Sequence, residues 1–513
     1  MKKVTLMAFA AAIATTACAQ QNPTALKYGQ LITAEDAKKH LSILASDEFE
    51  GRETGKPGAE KAANYIAGEF KKLGLQAPVN GSYFFNVPLV QNLLKVSTFS
   101  VNGRSFTLGQ DFFNNGAVTD NNIKASEVIF VGYGTDGEIG STDLTGKVVL
   151  WINEDKPEAG VTPNTSPRLS TARLKVLKSL QGKNPAVILA ANGDLTALLK
   201  RFGKSVTSPR LVIKEDVKAP KPAVPVFQVT TAIADELVKS TGKSYADLKV
   251  AVAATPVVTA KTDFAAVYAN EQSDVKAVDV LGFMPGTDLK DEVLVFSAHY
   301  DHIGLNPDGK DKINNGADDD GSGTTGILEI ARAFSKAKKD GHGPRRSILF
   351  LGNVGEEKGL LGSEYYTDHP VYPLANTITD LNIDMIGRVG EEYIGKPDSA
   401  NYVYPIGSAM LSKELHEIGE KANDTYTHLK LDYKYDDPND PNRFYYRSDH
   451  YNFAKHGVPI IFYFNGVHAD YHQPGDEVSK INFPLLAKRA QLVFYTGWEL
   501  ANRDKRPVVD GAK

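Results

Sequence analysis

One cysteine, Cys18, in a chain of 513 residues leaves no partner for an intrachain disulfide. It also takes thiolate out of the ligand choice, so a metal ion on the mature chain would be held by nitrogen and oxygen donors. Long apolar runs are missing too. The N-terminal one, Val4 to Ala14, falls short of the roughly 20 residues that cross a bilayer, and no later segment reaches that length. Charge of one sign is scarce: 58 Lys and Arg stand against 62 Asp and Glu, and a net charge of −4 carries no footprint of a nucleic-acid partner. There is no internal repeat and no low-complexity tract.

What is present at the start is an export pattern. Lys2 and Lys3 precede the apolar run and small residues follow it, the layout of a secretory signal. Ala17-Cys18-Ala19 fits a small-x-small site cut before Gln20. Thr15-Thr16-Ala17-Cys18 also resembles a loose bacterial lipobox, without the usual leucine three residues before the cysteine; it would leave Cys18 as a lipid anchor. The expectation is a signal peptide over residues 1–19. The mature protein would be exported from a bacterial cell to the periplasm or the medium, or held as an outer-membrane lipoprotein.

At this length two or more domains are expected. Thr33 can cap a helix reaching about Ser46, and a Gly-rich turn (Gly51 to Gly55) leads into a second helix that stops at Gly74. From about residue 121 to 257 short strands such as Val148-Val149-Leu150-Trp151 alternate with helical segments, and clustered acids and histidines are few. From about 262 onward strands and helices alternate regularly, the pattern of a mostly parallel sheet covered on both faces. Strands are expected at 293–298, 347–353, 378–384 and 458–464, and helices at 322–336, 359–368, 408–422 and 484–502.

The chemistry gathers at the carboxyl ends of those strands, where open α/β sheets keep their ligands. Val293 to Ala298 ends in His299-Tyr300-Asp301. A metal-binding imidazole gives its other N–H to an acceptor, and His-x-Asp can supply one. Asp318-Asp319-Asp320 opens the next helix, and acids this close repel unless a cation sits among them. A Ca²⁺ helix–loop–helix reading fails here: with Gly321 as the obligatory glycine, the first and last ligand positions fall on Gly316 and Ile327. The next strand ends in Glu356-Glu357, adjacent side chains that diverge, so one can bind metal while the other stays free as a base. Asp384 closes an otherwise apolar run, and His472 stands in a polar turn after the last strand. Taken singly, each is also a solvated helix start or a turn residue. Together, His299, Asp319, Glu357, Asp384 and His472 make a set of two histidines and three carboxylates. Two metals about 3.5–4 Å apart that share one carboxylate would use that set fully. Nitrogen and oxygen donors suit Zn²⁺, with Co²⁺ and Mn²⁺ compatible. His40, His342, His369, His416 and His428 are expected at the surface.

These five motifs, in this order and spacing, resemble those of the co-catalytic zinc peptidases that include bacterial leucyl aminopeptidases and glutamate carboxypeptidase II. The resemblance implies an α/β zinc exopeptidase fold over 20–120 and 258–513. It also implies a small β-rich protease-associated domain inserted at 121–257, carried by Asp143-Leu144-Thr145-Gly146-Lys147-Val148-Val149-Leu150 and Val224-Pro225-Val226-Phe227. Carried over by residue, it implies two Zn²⁺ per chain: one on His299 and Asp384, one on Glu357 and His472, with Asp319 bridging. Asp301 would orient His299, Glu356 would be the general base, and Tyr471 would steady the tetrahedral intermediate. Ser448-Asp449-His450 fits a family segment near the substrate pocket, without an assigned role. The implied function is an exported metalloaminopeptidase acting on peptides. Alternatives on the same fold are a carboxypeptidase of the glutamate carboxypeptidase kind, a glutaminyl cyclase, and a receptor-like scaffold. The cyclase pattern places a tryptophan before the last zinc histidine, where this chain has Tyr471; a scaffold would have lost ligands that are all present here.

Overall fold

A computed structural model describes residues 21–114, 119–157, 163–216 and 224–511. The signal-peptide reading and Cys18 lie outside them. The chain divides into two compact units, one of residues up to Val87 together with those from Lys276, the other Pro88–Val275.

In the first unit, four strands lie parallel in the order Ile460–Phe464, Thr377–Ile383, Leu289–His299, Arg346–Asn353, flanked by antiparallel neighbours Tyr402–Ile406 and Val280–Met284. This is the expected α/β class with a mixed, mostly parallel sheet. Strand residues alternate between faces. Val293, Val295, Leu349 and Leu351 pack with Tyr366 and Phe453 on one side. Phe296 and Phe350 stack on the other at 5.5 Å, against Phe334 of the helix Gly321–Lys339. Gly497 lets the helix Phe483–Asn502 approach closely there, since a Cβ on it would sit 2.3 Å from the Phe296 ring. Apolar on both faces, the central strands read as the continuous runs seen in the sequence.

The expected helices form at Ala34–Leu44, capped by Thr33, and at Pro57–Leu73, ended by Gly74 at φ 81°. Four more form at Gly321–Lys339, Leu361–Asp368, Lys413–Ala422 and Phe483–Asn502. His40 departs from its surface assignment: it is half-buried, with Nδ1 2.7 Å from the Tyr65 hydroxyl.

The second unit is less β-dominated than the sequence reading describes. Four parallel strands, Asn121–Phe130, Val148–Ile152, Val187–Ala191 and Val226–Val229, form its centre, with apolar clusters on both faces of the sheet. Its limits also lie outside 121–257. The strands Phe84–Val101 and Val258–Met284 are long and unbroken, so strand residues 88–101 and 258–275 fall in this unit although the sequence pattern gives them to the other.

Candidate metal centre

The parallel register brings the strand ends into line. His299 is opposite Asn353, and Ser297 is opposite Asn382, so the loops after all four strands open on one edge. His299 is the last residue of its strand and is buried. Its Nδ1 lies 3.1 Å from the main-chain oxygen of Asp301 and 3.8 Å from that residue's carboxylate. The carboxylate of Asp301 accepts instead from Thr54 Oγ1 at 2.6 Å and from the Glu356 N–H at 3.2 Å. Asp301 therefore faces His299 chiefly through its carbonyl, while its side chain ties the Gly-rich turn to the glutamate loop.

The three consecutive aspartates divide their work. Asp318 accepts from the Gly387 N–H at 2.6 Å and from Ser322 Oγ at 3.0 Å. Asp320 caps the following helix through Gly323 N and also accepts from Met385 N. Asp319, joined to Asp320 by a cis peptide bond, faces the site. Its Oδ1 is 3.4 Å from His299 Nε2, and its Oδ2 is 3.1 Å from His472 Nε2. One carboxylate thus presents an oxygen to each of two imidazoles. Burial pushes Asp319 upward, but His299 and His472 outweigh it and hold the carboxyl well below its usual range, whereas burial leaves Asp320 raised.

Asp384 Oδ1 lies 3.6 Å from His299 Nε2, and Glu357 Oε2 lies 3.0 Å from His472 Nε2. Ligands about 2.0–2.1 Å from a tetrahedral Zn²⁺ stand about 3.3 Å apart, so these separations fit an ion in each group. Triples of donor atoms within 4.8 Å of one another occur on both sides: His299, Asp320 and Asp384, and His302, Asp319 and Glu357. The ionised character of Asp319 and its reach to both imidazoles favour it over Asp320 as the shared donor.

Glu356 begins a short helical turn after Gly355, whose φ of 76° turns the chain out of the strand. Its Oε2 lies 3.8 Å from His299 Nε2, and burial, reinforced by Glu357 and Asp384, raises it well above the usual carboxylate range although His299 opposes this. Tyr471 stacks on the His472 ring at 3.9 Å, and its hydroxyl accepts from Arg447 at 3.2 Å. Burial and the nearby acids keep that hydroxyl protonated. A cavity beside Asp319, Glu356 and Asp384 has an apolar wall of Met385, Phe444, Phe462, Phe464 and Val467.

All eight residues singled out in the sequence therefore meet at one edge of the sheet. Three supporting residues were not singled out. Asp476 accepts from the N–H groups of Asp318 and Asp319 and so fixes the acidic loop; an acid four residues after His472 was the available signal. Arg52 donates to four carbonyls around the site. His302 is buried against Glu357, in the same turn as His299.

Residues 279–497 match the model of Peptidase family M28. All five candidate ligands and Glu356 lie within the matched residues. The chain is 27% identical over 242 residues to the aminopeptidase YwaD of Bacillus subtilis, a match covering 45% of this chain and 46% of that protein. It is 30% identical over 228 residues to a probable leucine aminopeptidase of Trichophyton verrucosum, covering 43% and 57%. The chain thus spans about half the length of the curated relatives it matches. By structure it resembles an aminopeptidase from Aneurinibacillus sp. strain AM-1 (TM-score 0.54, 17% identity, 95% and 98% of the two chains covered). It also resembles a zinc aminopeptidase from Bacillus subtilis (TM-score 0.51, 19% identity, 93% and 96% covered). These likenesses establish the fold.

Proposed function

We propose that this protein is a two-zinc aminopeptidase. The observation that carries the reading is the Asp319 carboxylate, with one oxygen facing His299 and the other facing His472. In this reading His299 and Asp384 would hold one ion and Glu357 and His472 the other, with Asp319 as the donor common to both. Two such ions, when bound, lower the pKa of a shared water towards neutral and polarise the scissile carbonyl. The protein's own groups do the rest. Glu356 takes a proton from the attacking water and hands it to the leaving amine, a role suited to a carboxylate whose proton affinity is raised by burial. Tyr471, kept protonated and supported by Arg447, donates to the carbonyl oxygen as it gains charge. Asp301 holds His299 and the Glu356 loop in register. The apolar cavity wall receives a hydrophobic side chain of the substrate's first residue.

The names of the relatives support recognition of a free α-amine rather than a C-terminal carboxylate. Tyr471, in place of a tryptophan, weighs against a glutaminyl cyclase. A screen of aminoacyl-anilides, N-blocked peptides and peptides with N-terminal glutamine tests all three on one sample. Cleavage only of the unblocked anilides is expected; cleavage of blocked peptides or pyroglutamate formation would replace the reading. We read Pro88–Val275 as the protease-associated insertion and the protein as exported, through a cleaved signal or a lipid on Cys18. Cell fractionation and mass spectrometry of the mature N-terminus check the second point.

A further inference from the structure

We propose that Arg447 binds the C-terminal carboxylate of a dipeptide, so that the protein prefers dipeptides to longer or amidated chains. This rests on the aminopeptidase reading above and names its substrate class. Arg447 lines the cavity that also holds Asp319, Glu356 and Asp384. Other cations in this part of the fold have acidic partners: Arg388 and Lys480 pair with Asp470, and Lys358 pairs with Glu53. Arg447 has no carboxylate partner among the described residues. Its exposed side chain makes one hydrogen bond to them, from Nη2 to the Tyr471 hydroxyl at 3.2 Å. The remaining donors of its planar fork suit a carboxylate.

The segment beneath Arg447 is well anchored. The guanidinium carbon lies 4.8 Å from the centre of the Phe444 ring, a cation–π contact. Phe444 and Ser448 are buried, and Ser448 Oγ accepts from Asn382 Nδ2 at 3.0 Å, two residues before Asp384. Buried His450 donates from Nε2 to Tyr445 O at 2.8 Å. Arg447 is thus held beside the reacting groups. In the proposed mechanism the Tyr471 hydroxyl donates to the scissile carbonyl oxygen, so Arg447 Nη2 stands one hydrogen bond beyond that oxygen. The carboxyl carbon of a dipeptide is three bonds from the scissile carbon, within about 4 Å of it, and so within reach of the free Arg447 donors. A side-chain carboxylate on the same residue starts at least one bond further out. In a longer or amidated chain the group at that place carries no charge.

The test measures kcat/KM of the zinc-loaded protein for Leu-Gly, Leu-Gly-amide and Leu-Asp-amide, in the parent, Arg447→Met and Arg447→Gln. The parent is expected to favour Leu-Gly over its amide by about 10-fold or more, the size of a hydrogen bond to a charged group. Both variants should bring that ratio to within about 2-fold of unity, because neither carries the charge. Losing the Tyr471 contact would slow all three substrates together, so the ratio reads the carboxylate and the rate does not. Glutamine keeps an N–H donor for Tyr471 and reads the ratio if the methionine variant is too slow to assay. A parent ratio near unity, a parental ratio in either variant, or faster cleavage of Leu-Asp-amide than of Leu-Gly overturns the inference. Cleavage of none of the three by a parent that still cleaves N-blocked peptides would defeat the aminopeptidase reading itself, a separate result.

Discussion

Arg52 offers a severe test of how the site is held together. The side chain is fully buried, and its guanidinium makes four hydrogen bonds to three segments of chain. Nε donates to Tyr300 O at 2.8 Å, Nη1 to Leu44 O at 2.7 Å and Asn315 O at 2.6 Å, and Nη2 to Gly316 O at 2.8 Å. The guanidinium thus clamps a helix end, the loop after His299 and the loop before Asp319. Replacement by methionine fills part of the space but takes a donor from four buried carbonyls, of which Gly316 O keeps the Gly321 N–H. Each such acceptor costs about 1–3 kcal/mol, and disrupting a buried charged network typically costs about 3–5 kcal/mol in all, since the terms do not add. Against a whole stability of about 5–15 kcal/mol, Arg52→Met should bring this unit close to unfolding. The assay is convenient because the two tryptophans, Trp151 and Trp498, lie in different units. In a Trp151→Phe background, urea unfolding followed by Trp498 fluorescence reports the unit that carries the site. A loss of about 4 kcal/mol is expected, with Arg52→Lys intermediate. A methionine variant within about 1 kcal/mol of parent would show that the clamp is dispensable and refute the reasoning.

Two further outcomes follow from the same geometry. Glu356→Gln cannot accept a proton, so kcat should fall by about 10²–10⁴-fold with zinc content unchanged; Glu357→Gln should lose the second ion and regain activity in part when zinc is added, and the reverse rescue pattern would exchange their roles. His450 is buried, with Nε2–H donated to Tyr445 O at 2.8 Å, and burial pushes it down to about 3. Its unfolded value is about 6.5, so between these the unfolded chain binds a proton that the folded one does not. This contribution to stability is complete above about pH 6.5 and is lost as pH falls towards 3, at up to about 1.4 kcal/mol per pH unit. His450→Phe, which can keep the stacking on Phe462, should flatten that slope in urea titrations from pH 4 to 7, and an unchanged slope would contradict the assignment.

The sheet and the ligand set were legible for one physical reason. Strands buried on both faces appear as mostly apolar runs, and the polar residues that end or follow them, among them His299, Glu356, Asp384 and His472, gather at the sheet's carboxyl edge. The unit boundary was not legible, because Phe84–Val101 and Val258–Met284 stay extended across it, through Pro88 in the first and the polar stretch Asn270–Asp274 in the second. The triple aspartate reads in the sequence as repulsion awaiting a cation, but one oxygen each of Asp318 and Asp320 is already taken by backbone donors that arrive from residues 385–387. No sequence spacing announces such a pairing. Arg52 and His302 were hidden for the same reason: most of their neighbours in the fold lie tens to hundreds of positions away, and side-chain direction decides the contact.

The central claim is that one carboxylate joins two metal sites. Elemental analysis of metal-retaining protein, with zinc and cobalt loading in parallel, should give two ions per chain in the parent. Asp319→Ala should lose both, because that carboxylate lies against His299 on one side and His472 on the other. A fully active parent with a single ion, or an Asp319→Ala variant that keeps two, would contradict the account.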